Sequence, residues 1–183
     1  MITYIDTSTL IKLLIDEVGT TEAGQIWDEP DVLVSARLGH VEARAALAAA
    51  FRQGRISDDV FRSAVEGLEV LWSQVSIIEI DETLMRLAGD LATTHGLRGY
   101  DAVHLAAAHL VGTDVFSSAD RRLCSAASNC GFHVANPIDT TTPTMELPTA
   151  DTGVEPRTGT IRDSGLHGVY VKPTTPPTTI VSC

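Results

Sequence analysis

Short runs of β-branched and aromatic residues alternate along the chain with longer segments of helical spacing, and this alternation constrains the fold more than anything else in the sequence. The runs are "ITYI" (2–5), "DVLVS" (31–35), "QVSIIEI" (74–80), "TDVFSS" (113–118) and "FHVAN" (132–136), which read as five strands. Between them lie "TSTLIKLLIDE", a short helix over 21–29, "HVEARAALAAAFRQG" (40–54), "SDDVFRSAVEGLEVLW" (57–72), "DETLMRLAGDLATTHG" (81–96), "GLRGYDAVHLAAAHL" (96–110) and "ADRRLCSAASNCG" (119–131). Thr7 or Ser8 is placed to cap the first helix, Ser57 and Asp81 cap two others, and Gly54 and Gly96 close the helices before them. Strands separated by helices cannot pair as hairpins, so the expected fold is α/β, a central parallel sheet flanked by helices. In such a sheet the C-terminal ends of the strands share one edge, where ligands collect.

The expected domain spans residues 1–139, because the composition changes there. Beyond it come "TTTPTMELPTADTGVEPRTGT" and "VKPTTPPTTIVSC", and six of the eight prolines follow residue 142. Residues 140–183 read as a Thr/Pro-rich, disordered tail. Within it "GLHGVYV" is apolar enough to dock on a groove, with Arg157 or Arg162 brought near acids. No apolar run is long enough to span a bilayer, and the start of the chain has neither a basic leader nor a small-residue cleavage site, so a cytoplasmic location is expected. Cys124, Cys130 and Cys183 are an odd number with no zinc or redox spacing, and read as free thiols. The formal charge of −11 excludes a protein that coats nucleic acid by bulk electrostatics, but not one that reaches it through a metal ion and a few local arginines.

Four carboxylates stand out. Asp6 follows the first strand, Asp101 opens a helix, and Asp120 follows "VFSS" at a strand-to-helix junction. Glu42 lies inside a helix, on a face shared with Leu38, Ala45, Ala46 and Ala49 that reads as core-facing. Taken singly, Asp6 and Asp120 read equally as helix caps, and Asp101 as a first-turn acid favoured by the helix dipole. Glu42 resists that treatment, since a carboxylate on an apolar face needs a cation, and Arg44 points elsewhere. Its partner must come from outside the helix. Gathered at one sheet edge, the four would repel one another and carry raised pKa values unless a divalent cation neutralised them. All-oxygen ligands favour Mg²⁺, with Mn²⁺ as substitute.

In order and spacing, "YIDTSTLIKL", "HVEARAAL", "GLRGYDAVHLAAA" and "VFSSADRRL" resemble the acidic motifs of the PIN-domain family, especially its VapC-type toxins, over residues 1 to about 138. The resemblance implies a PIN-like fold and a Mg²⁺-dependent endoribonuclease, the toxin of a type II toxin–antitoxin system. It implies that Asp6 and Asp101 are the main metal ligands, that Glu42 and Asp120 complete the acidic pocket, and that Ser8 and Ser118 support it. It also implies a homodimer silenced by a cognate antitoxin protein. Some family members carry a further acid near Asp120; here the neighbours are Ser117, Ser118 and Arg121. The number of ions therefore stays open between one and two, and the proton acceptor between Glu42 and Asp120.

Arg98 and Arg121 adjoin the motifs and are the candidates to hold substrate phosphate, while Lys12 and Arg122 read as solvated surface charges. His104, three residues after Asp101, reads as a core or supporting histidine, and Trp27 and Trp72 as packing or interface residues. Two rival readings remain. A catalytically silent PIN fold that binds protein or RNA would not need acids at all four positions. A phosphoacceptor receiver domain would need paired acids after the first strand and a late lysine, yet Asp6 stands alone and no lysine occurs between Lys12 and Lys172.

Overall fold

A computed structural model describes residues 1–139. Five strands form one parallel sheet in the order β3-β2-β1-β4-β5: β1 (Ile2–Ile5), β2 (Val32–Ala36), β3 (Ser76–Ile78), β4 (Val115–Ser117) and β5 (His133–Ala135). Seven helices connect them: α1 (Thr7–Lys12), α2 (Thr20–Asp28), α3 (Leu38–Arg52), α4 (Asp58–Trp72), α5 (Glu82–His95), α6 (Gly99–Val111) and α7 (Arg121–Asn129). The α/β architecture is the expected one. Residues 140–183, expected from the sequence as a disordered tail, and "GLHGVYV", expected as a docking segment, lie outside the described residues. Among the described residues no helix is long and apolar enough to cross a membrane.

From β1 the chain steps outward to β2 and β3, then returns to lay β4 on the other side of β1. Strand order therefore reverses between β1 and β4, which opens a crevice at their C-terminal ends. In that register Ile5 lies beside Ser117, so the residues that follow, Asp6 and Ser118, leave the sheet side by side.

Alternation along β1 assigns the two faces of the sheet. Tyr4 belongs to a core with Val34, Phe116 and the buried residues of α5, α6 and α7, whereas Ile5 joins Leu10, Ala43, Leu47, Ala64 and Leu68 from α1, α3 and α4. Helix α6 is buried without interruption from Ala102 to Ala108, and its alanines let it lie close against α5 and β2. Gly96 ends α5 in the left-handed conformation at φ +62°, the conformation a glycine there was expected to supply. Gly19 is both left-handed and crowded: a Cβ there would meet the Pro137 carbonyl oxygen at 2.5 Å, so glycine lets α2 start directly on the segment after β5.

The differences from expectation are local. Helix α1 is capped by Asp6 and not by Thr7 or Ser8. The third strand shrinks from 74–80 to Ser76–Ile78, because only those residues pair with β2. In α3 the fully buried stripe is Gly39, Ala43, Leu47 and Ala50; Ala45 is exposed, so Glu42 stands on the flank of the buried face and not at its centre.

Candidate active site

The crevice between β1 and β4 holds Asp6, which is 6% exposed. Its Oδ2 accepts from the Ser8 hydroxyl at 2.6 Å and the Ser118 hydroxyl at 2.8 Å, and weakly from the Ser8 amide at 3.4 Å. Each hydroxyl also accepts one backbone N–H, Ser8 from Ala119 at 2.8 Å and Ser118 from Asp120 at 3.0 Å. A hydroxyl has one proton, and both protons go to Asp6, so the 3.2 Å approach of the two serine oxygens is side-by-side contact. The serines thus fasten one oxygen of Asp6 and pin the β4–α7 turn to α1. Oδ1 has only the His104 ring nitrogen nearby, at 3.5 Å.

Glu42 reaches the same crevice from α3 and is similarly one-sided. Its Oε2 accepts from the Thr7 hydroxyl at 2.8 Å and meets His104 Nε2 at 2.6 Å. Burial alone would raise its pKa; the histidine bond and charge, with the Thr7 hydroxyl, outweigh burial and hold Glu42 below its ordinary value. His104, 1% exposed, is the hydrogen-bond partner that Glu42 finds on another helix. Burial opposes its charged form, but Asp6, the Glu42 hydrogen bond and Asp101 together raise its pKa. Its other nitrogen, Nδ1, lies 2.7 Å from the hydroxyl of fully buried Tyr4.

Asp101 and Asp120 are held differently. Asp101, in the first turn of α6, takes no hydrogen bond from any of the described residues, and burial followed by the charges of Asp120 and Asp6 raises its pKa, with Arg98 and His104 acting against them. Asp120 is exposed and caps α7, its Oδ1 accepting from the amides of Arg122 at 2.8 Å and Leu123 at 3.1 Å. The capping and pocket readings of Asp6 and Asp120 hold together, since a cap occupies one carboxylate oxygen and leaves the other for the crevice.

Exposed Arg98 is the N-cap residue of α6, and exposed Arg121 begins α7 with Asp139 at 4.0 Å. Arg122 donates to the Gly96 carbonyl, which ties α7 to the end of α5. Lys12 corrects an expectation: it is 7% exposed and paired with Glu17 at 2.8 Å, not solvated. Trp27 and Trp72 pack on the α1–α4 core. Cys124 and Cys130 are free thiols; burial, with the charges of Asp6, Asp139 and Asp120, pushes Cys124 up to about 12, which removes it as a nucleophile. Cys183 lies outside the described residues.

The donor chemistry suits a hard cation. Each of the four carboxylates keeps at least one oxygen without a close protein hydrogen-bond donor among the described residues, and burial and the charges of Asp120 and Asp6 raise the pKa of Asp101 in spite of Arg98 and His104. Among the described residues no three His, Cys, Asp or Glu side chains converge as a ready-made ligand set.

Sequence reasoning missed Thr7 and Tyr4 and left His104 unconnected to Glu42. One signal was available: Glu42 needed a partner from another element, and His104 shares a helix face with Asp101 at a spacing of three.

A five-stranded parallel sheet with acids following adjacent strands at its switch point defines an α/β fold whose candidate site lies at the C-terminal strand ends. Residues 3–129 match the PIN domain, and the chain belongs to the PIN-domain family. It is 41% identical over 134 residues to Ribonuclease VapC45 of Mycobacterium tuberculosis, an alignment covering 72% of this chain and 93% of that one. Among solved structures, VapC20 of M. tuberculosis, described as a sarcin–ricin loop cleaving toxin, superposes with a TM-score of 0.56 at 19% identity, covering 72% of this chain and 96% of that one. A toxin–antitoxin complex from Klebsiella pneumoniae gives 0.55 at 18%, with 75% and 98% covered. At such identities these structures establish the shared fold.

Proposed function

We propose that the chain is a Mg²⁺-dependent endoribonuclease, the toxin of a type II toxin–antitoxin pair. The observation that carries this reading is the placement of Asp6 and Asp120 just after the adjacent strands β1 and β4, with Asp101 in the first turn of α6 near enough for their charges to raise its pKa. The 41% identity to a protein named a ribonuclease supports RNA as the substrate class, and the likeness to a toxin–antitoxin complex supports a cognate antitoxin as partner. A homodimer and a cytoplasmic location belong to the same proposal.

Asp6 and Asp101 would hold the ion, with Glu42 and Asp120 completing the pocket. Bound there, Mg²⁺ or Mn²⁺ would supply a polarised phosphate oxygen and a water of lowered pKa. The protein's own contribution is positional. Ser8 and Ser118 fix the rotamer of Asp6 through Oδ2 and leave Oδ1 as the oxygen available to an ion. Glu42 or Asp120 accepts the proton of the attacking water through its free oxygen. Arg98 and Arg121, exposed at the starts of α6 and α7, would bind the phosphates flanking the scissile bond. In-line attack leaves 5′-phosphate and 3′-hydroxyl ends. The test incubates the protein with structured RNAs and Mg²⁺ or Mn²⁺, with and without chelator, beside Asp6→Asn and Asp101→Asn. Cleavage abolished by each of the three is expected; cleavage that survives chelator or both substitutions overturns the proposal. Growth arrest on expression, relieved by an adjacent gene's product, separates a toxin from a housekeeping nuclease.

A further inference from the structure

Tyr4, His104 and Glu42 form a line of hydrogen bonds that starts inside the core and ends in the crevice, and none of its first two members is needed to hold an ion. The Tyr4 hydroxyl accepts the Ala36 amide at 3.0 Å and meets His104 Nδ1 at 2.7 Å. With one lone pair given to Ala36, the phenol has its proton free to donate to Nδ1. That leaves the ring's second nitrogen, Nε2, as the protonated one, and Nε2 is the atom 2.6 Å from Glu42 Oε2. The ring cannot turn away: it is 1% exposed, edge-on to Tyr4 with centroids 5.8 Å apart, and Tyr4 is stacked on Phe116 at 5.2 Å.

Glu42 sits on the flank of α3 with a long, rotatable side chain, and among the described residues its hydrogen-bond donors come from α1 and α6 and not from α3. Both of its protein donors, Thr7 and His104, address the same oxygen. Two donors on one oxygen fix the carboxylate plane and leave Oε1 without a hydrogen-bond donor among the described residues, and the two serines hold one oxygen of Asp6 in the same way. A fixed donor pair matters because a proton acceptor works only within hydrogen-bond reach of the water it serves.

We infer that His104 is a positioning residue: held by the Tyr4 hydroxyl with its proton on Nε2, it orients Glu42 so that Oε1 is the proton acceptor in RNA cleavage. This rests on the endoribonuclease reading above and deepens it, choosing Glu42 over Asp120 as the acceptor. Asp120 spends its Oδ1 on capping α7, is exposed, and has no buried donor to set its orientation.

Two measurements on the full chain test it. The first needs no RNA and no metal: two-dimensional ¹H–¹⁵N spectra of the ¹⁵N-labelled protein report which ring nitrogen of His104 carries a protected proton. A slowly exchanging Nε2–H is expected, with faster exchange in Tyr4→Phe; an unprotonated Nε2 overturns the inference. The second compares His104→Leu, which keeps bulk without a donor, with His104→Gln, whose amide N–H can reach toward Oε2. His104→Leu is expected to lower kcat about 100-fold with KM within about twofold, and His104→Gln to recover at least about tenfold of that loss. In the Glu42→Gln background, His104→Leu should then lower kcat by no more than about twofold, because residues acting through one another are not additive. Equal losses in both backgrounds, or Gln behaving as Leu, overturn the positioning role even if both variants fold less stably. If the wild-type chain cleaves no RNA while Nε2–H is present and protected, the nuclease reading fails and the hydrogen-bond line survives it.

Discussion

The two halves of the acidic crevice are built on opposite principles. On the β1/α3 side, Asp6 and Glu42 each have one oxygen filled by two side-chain donors, and burial is offset by Ser8, Ser118, Thr7 and His104. On the α6/α7 side, Asp101 has no donor among the described residues and Asp120 has only the amides at its helix terminus. Glu42 is consequently held below its ordinary pKa, burial being outweighed, and Asp101 above its own, burial being reinforced by Asp120 and Asp6. One half is preorganised by the protein; the other stores repulsion that a cation would relieve.

Substitutions in the two halves break this comparison in different ways. The largest effect is on cleavage: Asp6→Asn and Asp101→Asn should each reduce the rate by about a thousandfold or more, read as initial rates on RNA. Stability of the metal-free protein should then separate the halves. Asp101, with a folded pKa above its ordinary 3.8, gives the folded state an advantage only at low pH and loses it as pH rises through the raised value. Asp101→Asn should therefore raise the melting temperature by a few degrees at neutral pH, with the gain shrinking as pH falls. Glu42, with a folded pKa below 4.5, stabilises above that value and ceases to as pH falls through the lowered one. Glu42→Ala, which leaves His104 without its acceptor, should cost about 1–3 kcal/mol at neutral pH, measured by denaturant unfolding. If both variants shift stability in the same direction, the two halves are not different in kind.

A smaller effect tests the serine side. Ser118→Ala removes a donor to Asp6 and the acceptor for the Asp120 amide, and should reduce cleavage about tenfold, as losses around a ligand commonly do. Ser8→Ala should match it, because each serine supplies one proton to the same oxygen. A variant indistinguishable from wild type would mean that the remaining serine alone holds Asp6.

The same division explains what could be read from the chain before its structure. Elements whose signals are local were legible: Ser57 and Asp81 cap α4 and α5 as their positions suggest, and Gly96 closes α5. The acids at strand ends were legible because a parallel sheet fixes where strand ends go. Contacts assembled from three separate segments were not. The partner of Glu42 comes from α6, its second donor from α1, and the residue that orients the partner from β1. Lys12 illustrates the same limit: a lone lysine reads as surface until Glu17, on the loop after α1, folds back to meet it. The face of α3 was misread because alanine is compatible with either side of a helix, so the run around Glu42 carries little periodic signal.

The smallest expected effect concerns Arg98, the exposed charge that, with His104, offsets repulsion on the open side. Arg98 is exposed at the N-cap of α6, and its positive charge lowers the pKa of Asp101 against the stronger upward influence of burial, Asp120 and Asp6. Solvent and salt screen such a charge, so its removal should act weakly and less so at high ionic strength. In Arg98→Ala the Asp101 carboxyl, followed by ¹³C NMR in the metal-free protein, should titrate at a higher pH than in wild type, and added salt should narrow the gap. The Glu42 titration should stay where it is, since Thr7 and His104, not Arg98, set it. A shift of both acids together would mean that the crevice responds as a single charge cluster, and the distinction between a preorganised half and an open half would collapse.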